Sequence, residues 1–254
     1  MSVAQAVKLR VDRLLVSRGL GNRREIQKWI RRGRVIYAGD PITNPSTHLP
    51  IDVTLLVNGE LCDPIPKLIA YHKPLHQLST LRDPWGRSGL DYVLPVQWRA
   101  SVHPVGRLDA DTSGLLLFSS DGSLTQYLLH PKRSLPRRYR AIVNHLPEDL
   151  KQKLTDGVET SLGCFSAVLE QVEPFETHRH GDYKTINNEL DEARGVIWLS
   201  VTEGKNRMVR RMLHNAGASV LALHRAQYGS VELGELSEGE YRVVSDLELS
   251  ELCG

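Results

Sequence analysis

Hydrophobic and polar positions follow a helical period at the start of the chain. Val11, Leu14 and Leu15 recur at helical spacing before a glycine-containing break. Asn22 is a favourable N-cap residue, and the apolar positions after it again repeat every three or four residues. The pattern therefore predicts two short helices, the second beginning at Asn22 and ending at Gly33.

Beyond these helices the pattern changes to short apolar runs typical of strands. Val35–Tyr37 and Thr54–Val57 are predicted strands joined by a Pro-containing loop from Pro41 to Pro50. Later strands are predicted at Leu68–Tyr71, Leu115–Phe118, Tyr139–Val143 and Val196–Val201, and helices at Ser123–Leu129 and Arg207–Asn215. We predict an α+β protein: a small α-rich domain at 8–62, a two-proline linker at 63–67, and a domain at 68–252 built on a mixed, largely antiparallel sheet.

Charge is distributed unevenly along the 254 residues. Residues 1–60 carry ten Lys and Arg against five Asp and Glu, a net charge of +5, whereas the remainder carries 22 against 25, a net of −3. A basic N-terminal part on a near-neutral body favours docking to a polyanion. The predicted second helix directs five basic residues mostly outward, where they form either a solvated face or phosphate contacts: Arg23, Arg24, Lys28, Arg31 and Arg32.

Cysteine spacing and hydropathy limit the remaining classes. Cys62, Cys164 and Cys253 are widely spaced and odd in number, which indicates neither a disulfide framework nor a zinc site and favours a reducing cytoplasm. No apolar run approaches the roughly 18 residues of a membrane span. His72 and His76 are four residues apart in a Pro-containing loop without further ligands, so we expect no metal there. We expect a cytoplasmic monomer.

The segment Gly106–Gly114, with the sequence GRLDADTSG, precedes a buried strand and places carboxylates on a turn. It closely resembles the signature of the RNA pseudouridine synthases, and its Gly-Arg form resembles the RsuA/RluB-like branch that acts on ribosomal RNA. The resemblance implies that Asp109 is the catalytic nucleophile and that Arg107 contacts RNA. Asp111 is the nearest rival but better fits a local turn role. Attack at C6 of the uracil or at C1′ of the sugar remains open.

Two further motifs carry the same resemblance. In Glu203–Met212, which follows a predicted strand, the family position of Arg210 holds the cation that pairs with the catalytic aspartate. Lys205 and Arg207 are read as phosphate contacts. In Arg137–Arg140, the resemblance implies that Tyr139 stacks on the target base, as extruded bases require an apolar platform.

The N-terminal part is similar to the S-four-like RNA-binding module over about fifty residues. The whole resemblance implies an isomerase without cofactor or metal that acts on ribosomal RNA or a ribosomal assembly intermediate. The segments Asp83–Arg87 and Arg225–Gly229 favour a large-subunit, RluB-like target, with a small-subunit, RsuA-like target as the alternative. A non-catalytic RNA-binding assembly protein is a third possibility, disfavoured because Asp109, Arg210 and Tyr139 are all present.

Overall fold

The computed structural model describes residues 7–81, 85, 88–176 and 192–254. Most of the Asp83–Arg87 segment, on which the large-subunit prediction partly depends, lies outside these residues. The chain divides into two compact units. The first runs to Lys67 and includes Asp91–His103, and the second comprises Leu68–Leu90 and Pro104–Gly254.

The first unit is built from two helices and six three-residue strands. Its elements are β1 (Lys8–Arg10), α1 (Val11–Ser17), α2 (Arg23–Arg31), β2 (Val35–Tyr37), β3 (Asp40–Ile42), β4 (His48–Pro50), β5 (Leu55–Val57) and β6 (Glu60–Cys62). The Asn22 side chain accepts a hydrogen bond from the backbone of Glu25, whose carboxylate accepts one in return from the backbone of Asn22, which confirms the predicted start of α2. Its buried residues Ile26 and Ile30 join the core of this unit.

The predicted loop from Pro41 to Pro50 contains strand residues, which corrects the sequence interpretation. Ala38 and Gly39 both have positive φ, so β2 and β3 form a hairpin with a two-residue turn, and β3 ends within the predicted loop. β4 pairs with β1, which lies about forty residues earlier in the chain. Strands this short carry little periodic signal, and their pairing partners are remote in sequence.

The second unit contains the remaining elements. They are β7 (Leu68–Lys73), β8 (His103–Pro104), β9 (Thr112–Ser119), α3 (Gly122–Leu129), a 3₁₀ turn (Pro131–Arg133), β10 (Arg137–Val143), α4 (Leu150–Asp156), β11 (Val158–Thr160), β12 (Gly163–Phe165), β13 (Val168–Pro174), β14 (Gly195–Val201), α5 (Met208–Asn215), β15 (Val220–Tyr228), β16 (Val231–Glu232), β17 (Tyr241–Val243) and α6 (Asp246–Cys253). The structure confirms the α+β class.

The main sheet of this unit has the strand order β13-β14-β10-β15-β9-β7-β17, with β8 beside β9 and β16 beside β15. Only the β15–β9 pair on this path is parallel, so the sheet is mixed and largely antiparallel, as predicted. All eight residues of β9 are buried. β9 is therefore a fully buried strand near the middle of the sheet, and the loop that precedes it ends at this buried strand.

Gly114 shows why the signature segment ends in a glycine. Its φ is +105°, and a Cβ atom at this position would collide with the backbone of Arg225 on the neighbouring strand β15. Only glycine permits this close approach of β9 and β15 without strain. The approach brings the side chains at the start of β9 close to those of β15.

Candidate active site

Asp109 lies in the loop between β8 and β9, and hydrogen bonds hold this loop on both sides of it. The Ser79 hydroxyl donates to the carbonyl of Leu108 at 2.7 Å and accepts from its N–H at 3.0 Å. The backbone N–H of His76 donates to the carbonyl of Ala110 at 2.7 Å. The residues on either side of Asp109 are thus both fixed to the segment that follows β7.

One cavity of about 350 Å³ collects the three motifs that the sequence singled out. Its lining includes Asp109, Tyr139 and Arg210, together with Arg107, Lys205 and Arg207. The lining carries six basic side chains (Arg107, Arg137, Lys205, Arg207, Arg210 and Arg225) against two acidic ones (Asp109 and Glu203). This balance suits a polyanionic ligand.

The carboxylate of Asp109 is only partly buried, and among the described residues no hydrogen bond or ion pair reaches it. Asp111 is bound much more extensively. The two terminal nitrogens of Arg207 donate to its two carboxylate oxygens at 3.0 and 2.8 Å. The two carboxylates of this turn therefore differ: arginines bind that of Asp111, whereas that of Asp109 faces the cavity without a contact of this kind from the described part of the chain.

Arg210 also contacts Asp111. Its Nη2 donates to the backbone carbonyl of Asp111 at 2.5 Å, and its Nε lies 3.3 Å from the Oδ2 atom. The sequence predicts that Arg210 pairs with Asp109, so the contact to Asp111 is a difference from that expectation. Its physical reason is that Asp111 directly precedes β9, where its main-chain carbonyl and its carboxylate both lie within reach of the first turn of α5.

Charge around Asp111 determines its protonation. Burial alone would raise its pKa, but the hydrogen bonds from Arg207 and the charge of Arg210 outweigh this and hold the pKa below its usual value. Asp111 in turn raises the pKa of Arg207. Arg207 adopts a left-handed backbone conformation (φ +51°) at the start of α5, which is unusual for a residue with a side chain. The pair thus joins the loop before α5 to the loop before β9.

Tyr139 lies on β10 opposite Arg225 of β15, and both side chains line the cavity. Two residues earlier on the same strand, Arg137 is buried. It donates to the carbonyl of Thr202 at 2.7 Å and to the hydroxyl of Tyr228 at 3.1 Å, and that hydroxyl donates to the carbonyl of Leu128 at 2.7 Å. These bonds tie β10, β15 and the end of α3 together beneath Tyr139.

The cavity also contains buried polar atoms that lack partners. Arg225 is 3% exposed and donates through Nε to the carbonyl of Leu115 at 2.7 Å, but its Nη2 has no hydrogen-bond partner among the described residues. The hydroxyl of Thr112 is similarly unpaired. Unsatisfied buried groups are costly and are concentrated at functional sites.

Lys73 holds the segment that follows β7, and the loop that carries Asp109 is hydrogen-bonded to this segment. Lys73 is fully buried at the end of β7, and its ammonium donates to the carbonyls of Pro74 and Gln77 at 2.8 and 2.9 Å. Burial lowers the pKa of Lys73 to about 8, although the nearby charges of Asp111 and Asp109 act to raise it. When protonated, its ammonium is a positive charge close to the carboxylates of Asp109 and Asp111, in addition to the charges of the arginines.

The five basic residues predicted on the N-terminal helix do not behave alike. Arg24, Lys28, Arg31 and Arg32 are exposed. Arg23 is also exposed, but it donates from Nε and Nη2 to the fully buried carboxylate of Asp12, both at 3.1 Å. Arg10 and Gln27 donate to the same carboxylate. Arg23 therefore has a structural role that helical periodicity does not reveal.

Sequence reasoning missed four residues of this arrangement: Asp111 as an anchor, and Lys73, Arg137 and Arg225 as buried cations. A buried Lys or Arg is rare enough to mark a site once burial is known. Burial itself follows from the sheet order, which the sequence did not provide. The only local signal was the position of each arginine near a tyrosine of its strand: Arg137 is two residues before Tyr139, and Arg225 is three residues before Tyr228.

Comparisons with known proteins match the chain over nearly its full length. Residues 67–215 match the family model described as RNA pseudouridylate synthase, and residues 9–53 match the S4 domain. The uncharacterized RNA pseudouridine synthase YtzG of Bacillus subtilis is 31% identical over 249 residues, which cover 95% of this chain and 97% of the relative.

Ribosomal large subunit pseudouridine synthase B of Escherichia coli K12 is 34% identical over 234 residues, covering 88% of this chain and 75% of the relative. Among solved structures, a pseudouridylate synthase superposes with a TM-score of 0.60 at 24% identity, covering 96% of this chain and 99% of the other. This last likeness concerns the fold. No helix in the described part of the chain has the length and apolar character of a membrane span.

Proposed function

This chain belongs to the RNA pseudouridylate synthase family, and we propose that it isomerises a uridine of ribosomal RNA to pseudouridine. The observation that carries the proposal is the carboxylate of Asp109, which receives no hydrogen bond or ion pair from the described residues, lies in a loop fixed by hydrogen bonds, and faces a basic cavity lined by Tyr139. An extruded uridine needs such a cavity, because its reacting atoms are not accessible within stacked RNA.

The reaction needs no external group. The bond from C1′ to N1 breaks, the base turns, and a bond from C1′ to C5 forms, while C5 loses its hydrogen to solvent and N1 gains a proton. Asp109 acts as the nucleophile that holds the intermediate. Its loop is fixed at Leu108 and Ala110, so the carboxylate meets the nucleotide without a large ordering cost.

The other residues of the cavity take supporting roles. Tyr139 stacks on the extruded base, and Arg210 supplies the cation that balances Asp109. Arg107, Lys205 and Arg207 contact phosphates of the bound strand, as do Arg24, Lys28, Arg31 and Arg32 on the N-terminal module. Arg23 belongs to the same basic face, although its contact with Asp12 leaves it less free to turn toward RNA.

We further propose large-subunit RNA as the substrate, because several relatives that cover most of this chain are named large-subunit synthases. The chain acts as a monomer in the cytoplasm, on free RNA or on an assembling particle. The residues 8–62 form the docking domain, 63–67 the linker and 68–252 the catalytic domain.

Release of tritium from RNA labelled at C5 of uridine tests the proposal. Wild-type protein should release tritium from large-subunit RNA, Asp109→Asn should release none, and Asp149→Asn, an exposed aspartate outside the cavity lining, should behave as wild type. Small-subunit RNA and partly assembled particles serve as parallel substrates. Release by Asp109→Asn would exclude Asp109 as the nucleophile, and release only from small-subunit RNA would reject the large-subunit assignment.

A further inference from the structure

A second groove is formed by α3 and the turn that follows it. It has a volume of about 470 Å³ and is lined by Ser123, Gln126, Tyr127, His130, Lys132 and Arg133. We call it the α3 groove. Leu129, which sits between these residues in sequence, lines the catalytic cavity and is 42% exposed. The last turn of α3 and the residue after it therefore contribute side chains to both depressions.

The α3 groove is positive, and its lining contains no carboxylate. Lys132 and Arg133 are exposed, as are Gln126 and His130. Asp121, the nearest acidic residue in sequence, is engaged at the other end of α3, where its side chain accepts hydrogen bonds from the N–H groups of Ser123 and Leu124. The charged side chains that line the groove are therefore all basic.

These basic residues are not needed to complete the helix. The carbonyl of Tyr127 accepts a hydrogen bond from the N–H of His130, and the carbonyl of Leu128 accepts one from the hydroxyl of Tyr228. Two carbonyls at the end of α3 are therefore satisfied by other partners. Lys132 and Arg133 are therefore not needed to satisfy these two carbonyls, and a bound ligand would explain their positive charge better.

A stacking surface accompanies the charge. The guanidinium carbon of Arg133 lies 4.0 Å from the centre of the Tyr127 ring, and the Tyr127 hydroxyl is anchored on the carbonyl of Cys253 at 2.8 Å. Arg133 is exposed, so its guanidinium can offer a flat, charged surface to a ligand while it remains over the Tyr127 ring. Nucleic-acid bases stack on arginine planes of this kind as well as on aromatic rings.

His130 adds a directed donor. Its Nδ1 accepts a hydrogen bond from the N–H of Lys132 at 3.2 Å, so in the neutral ring the proton is on Nε2. Together with Lys132, this gives the groove two donors for an anionic oxygen next to one platform for a base. A single nucleotide has both parts.

We propose that the α3 groove binds the nucleotide adjacent to the extruded uridine in single-stranded RNA. Its base stacks on Arg133 above Tyr127, and its phosphate contacts Lys132 and His130. The proposal rests on the proposed function, since it takes the neighbouring cavity to hold the uridine. It adds a specific contact surface that the three family motifs do not include.

Matched variants in the full-length Asp109→Asn protein test the groove, because we expect this background to bind RNA without converting it. Affinity for a large-subunit RNA fragment is measured at several salt concentrations. Lys132→Gln should reduce the slope of log affinity against log salt by about one unit, as expected for one lost phosphate contact. Lys151→Gln removes one exposed lysine on α4 and should leave the slope unchanged.

Arg133→Lys separates stacking from charge, since lysine keeps the charge but has no plane. It should weaken binding by about fivefold to a hundredfold at an unchanged salt slope. RNA containing 4-thiouridine should crosslink to residues 123–133 in the unmodified groove and lose this crosslink in Arg133→Lys. Unchanged affinity and slope in both groove variants would overturn the proposal, even if the wild-type protein releases tritium.

The two proposals fail separately. Tritium release by wild type, together with RNA binding that ignores Lys132 and Arg133, would keep the synthase and reject the groove. The expected slope and crosslink, together with absence of tritium release from every RNA and particle, would keep the groove as an RNA contact and reject the catalytic assignment.

Discussion

Asp111 and Arg207 are joined by two parallel hydrogen bonds of 3.0 and 2.8 Å across 96 residues of sequence. The pair links the loop that carries Asp109 to the loop that starts α5. Asp111 also accepts from Arg210 through its main-chain carbonyl. The geometry makes Asp111 the residue that sets where both arginines sit relative to the cavity.

Asp111→Asn should therefore lower kcat without unfolding the protein. The side chain is 42% exposed, so its ion pairs contribute little to stability, and we expect the free energy of unfolding to change by less than about 1 kcal/mol. Loss of the bidentate contact should misplace Arg207, and loss of the carboxylate charge should weaken the hold on Arg210; together these should reduce kcat by roughly tenfold to a hundredfold. Single-turnover isomerisation and thermal denaturation measure the two effects.

Arg207→Lys tests the same contact from the arginine side, because lysine keeps the positive charge but cannot donate two parallel hydrogen bonds to Asp111. It should reproduce part of the loss in kcat. A variant Asp111→Asn with wild-type kcat would show that the pair does not position the site.

Asp12 is the corresponding anchor in the N-terminal unit. Burial would raise its pKa, but the hydrogen bonds from Arg10, Gln27 and Arg23 prevail and hold the pKa far below its usual range. Asp12→Asn leaves these donors with a neutral partner. Because Arg10 and Arg23 can still reach water, we expect a loss of about 2 to 3 kcal/mol rather than the full cost of breaking a buried pair.

Hydrogen exchange of the amides of α1 and α2 in the full-length chain measures this loss. The lowered pKa of Asp12 fixes the direction of the pH dependence. The stability that this carboxylate contributes is present above about pH 4 and is lost as the pH falls below that value. Asp52→Asn, at an exposed position in the same unit, should have no comparable effect. Equal exchange protection in the two variants would contradict the anchor role.

Charge reversal on α2 tests RNA docking, and the Asp12 contact determines which residues to change. Arg24, Lys28 and Arg31 lie on one exposed face of α2, whereas reversal of Arg23 would place a carboxylate against buried Asp12. Replacing the three exposed residues with Glu should weaken RNA binding and flatten its salt dependence. The fold of the unit, followed by circular dichroism, should not change.

The result expected for a solvated helix face is different. In that case the triple variant would bind RNA with the affinity and salt slope of the wild type. A second variant, Arg23→Gln, separates the structural contribution, since it should reduce stability more than it reduces the salt slope.

Local pattern predicted much of the fold and the identity of the motifs. Asn22, the apolar run in β9 and the apolar positions of α5 carry strong short-range signals, and the structure has these elements close to the predicted positions. β10 begins at Arg137 rather than at Tyr139, since two arginines conceal the start of the strand. Alternation along β10 explains this, because Arg137 and Tyr139 lie on the same buried face of the strand and both line the cavity.

Long-range contacts could not be predicted in this way. The contact of Asp111 with Arg207 depends on the parallel pairing of β9 with β15, and that of Arg23 with Asp12 depends on how α1 meets α2. In both cases an aspartate that resembles a turn or surface residue in sequence binds arginines from a distant or separate element. Such pairing is a property of the folded sheet and helix packing, and single-sequence periodicity contains no information on it.

His224 should make the catalytic unit sensitive to acid. It lies on β15, where its Nδ1 is 3.0 Å from the hydroxyl of Ser113 and its ring meets that of His72 edge to face at 5.4 Å. Burial lowers the pKa of His224 to about 4, and the charges of His72 and Arg140 act in the same direction. The ring is therefore neutral in the folded protein at neutral pH.

The sign of the effect follows from proton binding. Between about pH 6.5 and 4, the unfolded chain protonates this histidine and the folded chain does not, so the free energy of unfolding falls as the pH falls. The shift corresponds to roughly 2 to 3 kcal/mol over this window. His224→Asn keeps a polar atom near Ser113 but cannot titrate, and it should remove most of that decline.

Urea denaturation at a series of pH values measures the prediction, and His214→Asn is the matched control. His214 also contacts a serine hydroxyl, that of Ser219 at 2.9 Å, but it is exposed on α5. Its replacement should leave the decline between pH 6.5 and 4 as in the wild type. If His224→Asn and His214→Asn lose stability in parallel with the wild type, protonation of His224 does not drive acid unfolding, and other buried groups of the sheet must do so.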